Sequence, residues 1–125
     1  MLRVAIIGLG GFLGAIFRYA LTGLAHRIWA TTFPIGTLIV NIVGCFFLGA
    51  VMYLVQSHGA MSPNARLFIT IGLLGAFTTF STFGYETIAL VNDREFIYAV
   101  WNIISNLMLG LLAVWLGRLV MRAFG

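Results

Sequence analysis

Four long apolar runs dominate the sequence, and each is long enough to cross a lipid bilayer as a helix. One crossing takes about 20 apolar residues, so a chain of 125 residues holds four such spans joined by short loops. The runs predict spans at residues 4–24, 34–57, 63–91 and 95–119. They are continuous and do not alternate in polarity, which excludes a membrane β-barrel. We therefore predict an all-α membrane protein with one four-helix domain covering residues 1–125.

Charged side chains are too few to support a water-facing domain. They make up 8% of the residues, whereas soluble globular chains carry about 25%. The seven basic residues are all Arg and are scattered singly, without the basic run that marks a nucleic-acid-binding surface. The sequence also has no Ser-His-Asp set, no phosphate-binding loop and no paired carboxylates. We therefore expect neither an enzyme nor a nucleic-acid-binding protein.

The arginines give almost no preference for one orientation in the membrane. With four spans, four of them lie on the side of the N-terminus and three on the opposite side, although basic residues normally concentrate on the cytoplasmic side. The first group is Arg3, Arg66, Arg118 and Arg122, and the second is Arg18, Arg27 and Arg94. Two interpretations follow: a chain that is weakly oriented or oriented by a partner, or one that inserts both ways up and pairs as an antiparallel dimer. A four-helix unit has little interior for a polar pathway, which favours a pathway between two copies.

Short-range signals mark helix starts and a close helix contact. Ser62 and Pro63 suit the cap and first residue of the third span. Asn92 and Glu95 resemble a capping box before the fourth. The GxxxG motif of residues 10–14 predicts close approach of the first helix to a neighbouring backbone.

The third span contains residues that form helices poorly. Residues 72–86 combine glycines with clustered hydroxyl side chains, which weaken the helical hydrogen-bond ladder. We predict a break near residues 75–79, whose freed carbonyl groups must face protein, water or an ion. Carbonyls at the end of a half-helix are natural cation ligands. Two copies crossing here would form a small oxygen cage, suited to a hard monovalent cation because no His, Cys or carboxylate cluster accompanies it.

Aromatic rings alternate with hydroxyl groups just after the predicted break. Phe80 and Phe83 are three residues apart on one helical face, among Thr79, Ser81 and Thr82. The edge of a phenyl ring is electropositive, so ring edges and hydroxyl donors together can replace the water around a small anion while offering little to a cation. The alternative is that the rings only form core or lipid contacts.

Five further polar side chains within the spans are candidates for a pathway, because polar groups are costly in hydrocarbon. They are Arg18, Asn41, Glu86, Asn102 and Asn106. The amide of Asn41 either donates to a dehydrating anion or joins helices, and Arg18 either reaches the membrane surface or attracts an anion to a pore. Asn102 and Asn106 are four residues apart and form a polar track. Glu86 needs a hydrogen-bond partner or a wet vestibule.

Three segments together resemble the Fluc (CrcB) family of fluoride channels, and the resemblance extends over essentially the whole chain. They are residues 10–19 (GGFLGAIFRY), 34–44 (PIGTLIVNIVG) and 72–83 (GLLGAFTTFSTF), of which the last two together are highly specific. The resemblance implies an antiparallel, dual-topology homodimer in the cell (inner) membrane, surrounded by lipid. It further implies two narrow pores that export toxic fluoride passively.

The resemblance also implies roles for individual residues. The backbone carbonyls of Gly75 and Thr78 would hold a central Na⁺ that is structural and not transported. Arg18 matches a positive residue near the vestibule, and Glu86 matches an acidic residue near the pore. Phe80 and Phe83 match the rings that line the family's fluoride path, and Asn41 matches a donor that contacts the ion. Thr79, Ser81 and Thr82 match the neighbouring hydroxyls.

The fourth span departs from the family pattern. The family often presents a row of hydroxyl or aromatic hydrogen-bonding groups there, facing the phenyl rings, whereas this chain has Asn102, Asn106 and then Gly110. The difference bears on the ion path and the conduction rate, and it does not overturn fluoride as the substrate.

Two other functions compete with a passive channel. A small multidrug-resistance type exporter is also short and four-helical, but it couples transport to protons through a carboxylate in its first helix, and residues 4–24 contain none. A non-conducting membrane assembly subunit would use the same polar groups only to hold helices together. It predicts no ion flux after purification and reconstitution.

Overall fold

A computed structural model of the protein describes residues 1–59 and 61–124, and the regular structure within them is entirely helical. Its helices are α1 (Leu2–Ile28), α2 (Ile35–His58), α3 (Pro63–Arg66), α4 (Gly75–Phe77), α5 (Phe80–Asn92) and α6 (Phe96–Phe124), and Leu67–Leu74 between α3 and α4 is a π-helix, here called the π segment. Within these described ranges, four stretches are long and apolar enough to cross a membrane: Leu2–Ile28, Ile35–Ser57, Pro63–Asn92 and Phe96–Phe124. The predicted all-α fold with four spans is confirmed.

The turn into the third span has the predicted cap. Helix α2 is followed by Gly59 in the left-handed conformation, with φ 56°, which glycine adopts without steric cost. The Ser62 hydroxyl then accepts a hydrogen bond from the Ala65 N–H at 3.2 Å, and Pro63 is the first residue of α3. Proline is well placed there because the first helical N–H has no partner within the helix.

The predicted capping box before the fourth span is wrong. Asn92 is the last residue of α5, and Arg94 takes the left-handed conformation with φ 63°. The N–H groups of Arg94 and Glu95 donate back to the carbonyls of Val91 and Leu90, at 3.0 and 2.8 Å. These residues therefore close the end of α5, as left-handed terminal motifs do. Helix α6 begins at Phe96, and the Glu95 carbonyl accepts its first hydrogen bond, from the Ala99 N–H at 3.0 Å.

Helix α1 contacts the π segment backbone to backbone. A Cβ atom added at Gly10 would overlap the carbonyl oxygen of Phe68, and one added at Gly14 would overlap that of Leu73. Both glycines are buried. The close approach predicted from the GxxxG motif is confirmed, and its partner is the first half of the third span.

Helices α2 and α6 form the second close pair, which the sequence analysis did not predict. A Cβ atom at Gly49 would overlap the Val114 carbonyl oxygen, and one at Gly117 would overlap the Phe46 carbonyl oxygen. Each helix thus supplies a glycine to the contact. Small residues allow two membrane helices to approach this closely because they have little or no side chain. Such close packing matters in lipid, where no hydrophobic force draws helices together.

The interior of the chain is small and partly polar. Among the side chains that are less than 2% exposed, the largest are Val40, Asn102 and Thr37. Many large apolar side chains lie on the outside, among them Phe12, Trp101 and Trp115, each more than half exposed. The polar groups of the bundle are therefore concentrated near its centre, beside the interruption of the third span.

Candidate functional site

The third span is interrupted at two consecutive threonines. Helix α4 ends at Phe77; Thr78 and Thr79 are extended, with ψ 158° and 120°, and α5 begins at Phe80. Thr79 caps α5, since its hydroxyl accepts a hydrogen bond from the Thr82 N–H at 3.2 Å. Thr79 is buried. The predicted break is confirmed, at the C-terminal edge of the predicted range.

Asn41 of α2 binds the backbone of the interruption with both ends of its amide. Its Oδ1 accepts from the Thr79 N–H at 2.9 Å, and its Nδ2 donates to the Thr79 carbonyl at 3.1 Å. An extended residue presents its N–H and C=O as in a β-strand, and the side-chain amide supplies the acceptor and the donor that they need. Backbone groups that a broken helix leaves unpaired are thereby satisfied.

The asparagines of α6 continue the same set of hydrogen bonds. Asn41 Nδ2 also donates to Asn106 Oδ1 at 2.9 Å, and Asn106 Nδ2 donates to the Asn102 carbonyl and Oδ1 at 2.9 and 3.0 Å. Asn102 Nδ2 donates to the Thr87 hydroxyl at 2.9 Å. That hydroxyl in turn donates to the Phe83 carbonyl at 2.8 Å. Asn102 and Asn106 therefore link α2 to α5.

The two phenylalanines lie side by side but differ in exposure. The ring centroids of Phe80 and Phe83 are 5.4 Å apart, with the ring planes at 54°. Phe83 is 9% exposed and Phe80 is 80% exposed. The Thr79 hydroxyl lies 3.0 Å from that of Thr82 and 3.4 Å from that of Ser81. Rings and hydroxyl groups therefore occupy the same turn of α5.

An open groove of about 220 Å³ lies beside this turn. It is lined by Asn41, Cys45, Thr78, Thr79, Phe80, Phe83, Asn106 and Leu107. The groove thus brings together both phenylalanines, the interruption, and amides from α2 and α6. Cys45 and Leu107 were not predicted as part of the site.

A larger cavity, of about 780 Å³, shares Thr79 with the groove. Its basic wall comes from α1 and consists of Arg18, His26 and Arg27, and Thr37, Thr79 and Thr82 complete its lining toward α2 and α5. Arg18 is half-buried. We call this cavity the vestibule. Thr79 lines both the vestibule and the groove, so the two cavities meet at the interruption.

Glu86 has one partner and one unpaired oxygen. The Thr37 hydroxyl donates to Glu86 Oε1 at 2.8 Å. Oε2 is buried and has no hydrogen-bond partner among the described residues. Thr37 lies one helical turn before Asn41, so α2 directs one polar side chain to Glu86 and the next to Thr79.

The interruption also releases the Gly75 carbonyl. In a continuous helix the Thr79 N–H would donate to Gly75 O, but here it donates to Asn41. Gly75 is exposed and Thr78 is half-buried. No group of three His, Cys, Asp or Glu side chains comes together within the described residues. The Gly75 and Thr78 carbonyls are backbone oxygens, a type of ligand that suits a hard cation.

Two hydrogen bonds of the candidate site were not predicted from the sequence. Thr37 and Thr87 were not predicted as site residues, although Thr37 binds Glu86 and Thr87 binds Asn102. The hydroxyl of a threonine in an apolar helix usually donates to the backbone carbonyl four residues earlier. The sequence alone therefore does not distinguish Thr37 and Thr87 from the other threonines in the spans. Their positions one turn from Asn41 and from Phe83 are the only local signal.

Comparison with known proteins identifies the family. The family described as "CrcB-like protein, Camphor Resistance (CrcB)" matches residues 5–118 of this chain. The chain belongs to the CrcB-like family.

Curated relatives of the CrcB-like chain carry the name fluoride-specific ion channel FluC. FluC 1 of Methanosarcina acetivorans is 46% identical over 95% of this chain and 90% of its own length. FluC of Shewanella sp. (strain W3-18-1) is 42% identical over 94% of both chains, and FluC of Geobacter sp. (strain M21) is 42% identical over 98% of this chain and 99% of its own. Four spanning helices and such relatives make this CrcB-like chain a multi-pass protein of the cell membrane.

Proposed function

We propose that the chain is a fluoride-specific ion channel, through which fluoride leaves the cell passively and cytoplasmic fluoride toxicity is lowered. The observation that carries the proposal is the similarity, over 94% or more of the chain, to relatives named fluoride-specific ion channels. The chain is a transport protein and not an enzyme. Its first helix, α1, has no carboxylate for proton-coupled export.

The proposed path runs from the vestibule, past the interruption, to the groove. Arg18 and Arg27 give the vestibule a positive wall, which raises the local concentration of anions. The hydroxyls of Ser81 and Thr82 and the edges of Phe80 and Phe83 then take the place of the anion's water, while the Thr79 hydroxyl donates to that of Thr82. Each contact is weak, and conduction requires that binding be loose enough for exit. Glu86 lies beside the vestibule through its bond to Thr37.

The proposed channel is an antiparallel, dual-topology homodimer. Two observations support it: the balanced arginines of the two membrane faces, and a groove that is open on the side where Phe80 is 80% exposed. A second copy, turned the other way up, would close that side. The remaining apolar surface, which includes Phe12 and Trp115, then faces lipid.

A structural Na⁺ at the centre of the dimer is part of the proposal. The Gly75 carbonyl lacks its helical donor, and Gly75 lies on the exposed surface of the single chain. Gly75 and Thr78 of both copies would hold the ion through backbone oxygens. Such an ion would neutralise the partial negative charge that the ends of two broken helices bring together. It is not transported.

The test is fluoride efflux from liposomes that contain the purified protein. Efflux is followed with a fluoride electrode, with Na⁺ present and with chloride as the control anion. Fast release of fluoride but not of chloride, needing only a shunt for the counter-ion, is the expected result. Flux that depends on a proton gradient would instead indicate an exporter, and no flux from a folded dimer would indicate an assembly subunit.

The Na⁺ site has its own measurement. Replacing Na⁺ by a large organic cation during purification and reconstitution is expected to lower fluoride efflux, because the facing carbonyls then repel each other. Returning Na⁺ should restore efflux. Equal efflux in both cations would contradict the proposed ion and leave the proposed channel intact.

A further inference from the structure

The two membrane ends of the chain differ in net charge, although their arginines are almost balanced in number. All three acidic residues, Glu86, Asp93 and Glu95, lie toward the end that holds the turn between α5 and α6. Three of the seven arginines lie there too and match them in number. The other end, here called the basic end, carries the entire formal net charge of +4 and no acidic side chain. Its arginines are Arg3, Arg66, Arg118 and Arg122.

Two arginines of the basic end share one exposed face of α6 with a tryptophan. Trp115, Arg118 and Arg122 are spaced three and four residues apart, which places them on the same side of a helix. Trp115 is 56% exposed, and both arginines are exposed. Gly117, which packs against α2, is buried on a different side of α6. The shared face therefore points away from the contact between α2 and α6.

The depth of this face along α6 matches the headgroup layer of a bilayer. The charged residues 93–95 keep the start of α6, at Phe96, near the opposite membrane surface. Arg118 and Arg122 lie about 33 and 39 Å from Phe96 along the helix, and the hydrocarbon core is about 30 Å thick. Trp115 lies close to that limit, where tryptophan is enriched in membrane proteins. The two guanidinium groups are therefore at the level of lipid phosphates.

Neither arginine has an acidic side chain of its own chain within reach. No acidic residue lies within four positions of Arg118 or Arg122, and the length of α6 separates them from Asp93 and Glu95. Glu86 is bonded to Thr37 at the start of α2, also toward the opposite end. Two like charges four residues apart on a helix repel each other. A phosphate between them would relieve this repulsion, because guanidinium groups match the geometry of phosphate oxygens.

We propose that Trp115, Arg118 and Arg122 form a binding site for the headgroup of an anionic phospholipid. The phosphate lies between the two guanidinium groups, and an acyl chain lies along the apolar surface below Trp115. Leu111, one turn deeper, is 67% exposed and belongs to that surface. A headgroup with net negative charge, such as that of phosphatidylglycerol, is favoured over phosphatidylcholine, whose own cation offsets the attraction of the arginines. The site does not require fluoride conduction.

The proposed antiparallel dimer would keep the excess charge. A second copy, turned the other way up, brings its three acidic residues to the basic end together with three arginines that match them in number. Each membrane face of the dimer then still has four unmatched positive charges, however the ion pairs between the copies are arranged. Anionic lipid can neutralise this excess in both leaflets.

Quenching of Trp115 fluorescence by brominated lipid tests the site. The chain has three tryptophans, so Trp29→Phe and Trp101→Phe leave Trp115 as the only reporter. The vesicles contain phosphatidylglycerol and phosphatidylcholine, with the brominated chains on one lipid or on the other. We expect the affinity for phosphatidylglycerol at Trp115 to exceed that for phosphatidylcholine by at least about fivefold, the effect of one arginine near a membrane surface. Equal affinity for the two lipids would overturn the proposal.

Two double variants remove the same charge and distinguish a site from diffuse attraction. Arg118→Gln with Arg122→Gln should bring the ratio of the two affinities at Trp115 close to one. Arg3→Gln with Arg66→Gln, at the same end but on α1 and α3, should retain most of the preference. An equal loss in both double variants would mean that the whole basic end attracts anionic lipid, and the proposed site would be refuted.

A third double variant, Asp93→Asn with Glu95→Gln, tests whether acidic residues of a second copy occupy the two arginines instead. The preference for phosphatidylglycerol at Trp115 should be the same as in the wild type. A preference that is absent from the wild type and present only in this variant would contradict the proposal, because the arginines would then be paired within the dimer.

Native mass spectrometry measures the same preference on the chain with all its tryptophans. Phosphatidylglycerol should stay bound at collision energies that remove phosphatidylcholine, and Arg118→Gln with Arg122→Gln should abolish the difference. No difference in the wild type would count against the site even if the tryptophan variants did not fold. Neither measurement uses ion flux, so a protein that conducts no fluoride would contradict the proposed function and leave the lipid site to be decided here.

Discussion

The two halves of the third span are held in place by different forces. Up to Phe77, the π segment and α4 lie against α1, and the contact is between backbones, at Gly10 and Gly14. From Thr79 onward, side-chain amides of α2 and α6 hold α5. The first half therefore has no room for an added atom where it meets α1, and this contact uses no polar side chain. The second half has an open groove beside it and is held by side-chain hydrogen bonds.

The largest expected effect comes from adding volume to the first half. Gly14→Val places carbon atoms against the Leu73 carbonyl, and neither backbone can move aside cheaply, so we expect a loss of about 3 kcal/mol in the free energy of unfolding. Unfolding of the purified protein in detergent measures it. Gly8→Val is the matched control, because nothing lies within 4 Å of a Cβ there. Equal losses in the two variants would show that the α1 contact does not hold the first half.

The next effect concerns the chemistry of the second half. Phe83→Ile keeps an apolar side chain but removes the electropositive ring edge, so fluoride flux should fall about tenfold while the protein still folds. Phe80→Ile should behave similarly. Phe12→Ile, at a ring of α1 that is 64% exposed, should leave flux unchanged. Wild-type flux from a folded Phe83→Ile channel would rule out the ring edge as an ion contact.

A smaller effect is expected at the cap of α5. Thr79→Val removes the hydroxyl that accepts from the Thr82 N–H, and the loss of such a cap costs about 1 kcal/mol. Thr70→Val, in the π segment, removes a hydroxyl that bonds only the Arg66 carbonyl behind it, and should cost much less. Chemical unfolding of both variants makes the comparison. A greater loss from Thr70→Val would reverse the contrast between the halves.

The smallest effect is expected at the start of the third span. Ser62→Ala removes the hydroxyl that accepts from the Ala65 N–H, but Ser62 is exposed and water can replace the bond. We expect a loss of about 0.5 kcal/mol, the low end for helix caps. A loss as large as that for Thr79→Val would mean that capping is equally important outside and inside the membrane.

The four spans and the interruption of the third span could be predicted from the sequence, since both depend on local composition. Glycines and hydroxyls predicted a break near residues 75–79, and the chain leaves the helix at Thr78 and Thr79. The π segment could not be predicted, because Leu67–Leu74 is apolar apart from Thr70 and no periodic signal separates wide helical turns from ordinary ones. The prediction of a capping box at Asn92 and Glu95 was wrong for a similar reason. Arg94, between them, takes the left-handed conformation, and no sequence pattern indicates this.

The site was predicted as a set of residue types, and its connections were not. Asn41, Asn102 and Asn106 were expected to matter because amides are costly in lipid. Which amide meets which depends on the packing of α2 against α6, where Gly49 and Gly117 permit close contact. That packing joins residues 65 positions apart in the chain, such as Asn41 and Asn106, and no local pattern contains it.

The bond between Asn41 and Thr79 has a consequence for how the protein is made. Synthesis proceeds from the N-terminus, so α2 is already in the membrane when the interrupted span arrives, and Asn41 can satisfy the Thr79 backbone at once. The fourth span comes last and brings Asn106 to an amide that is already engaged. When only three spans have been synthesised, the Thr79 backbone groups are thus already hydrogen-bonded within the membrane. The interrupted helix is therefore compatible with lipid before the fourth span is inserted.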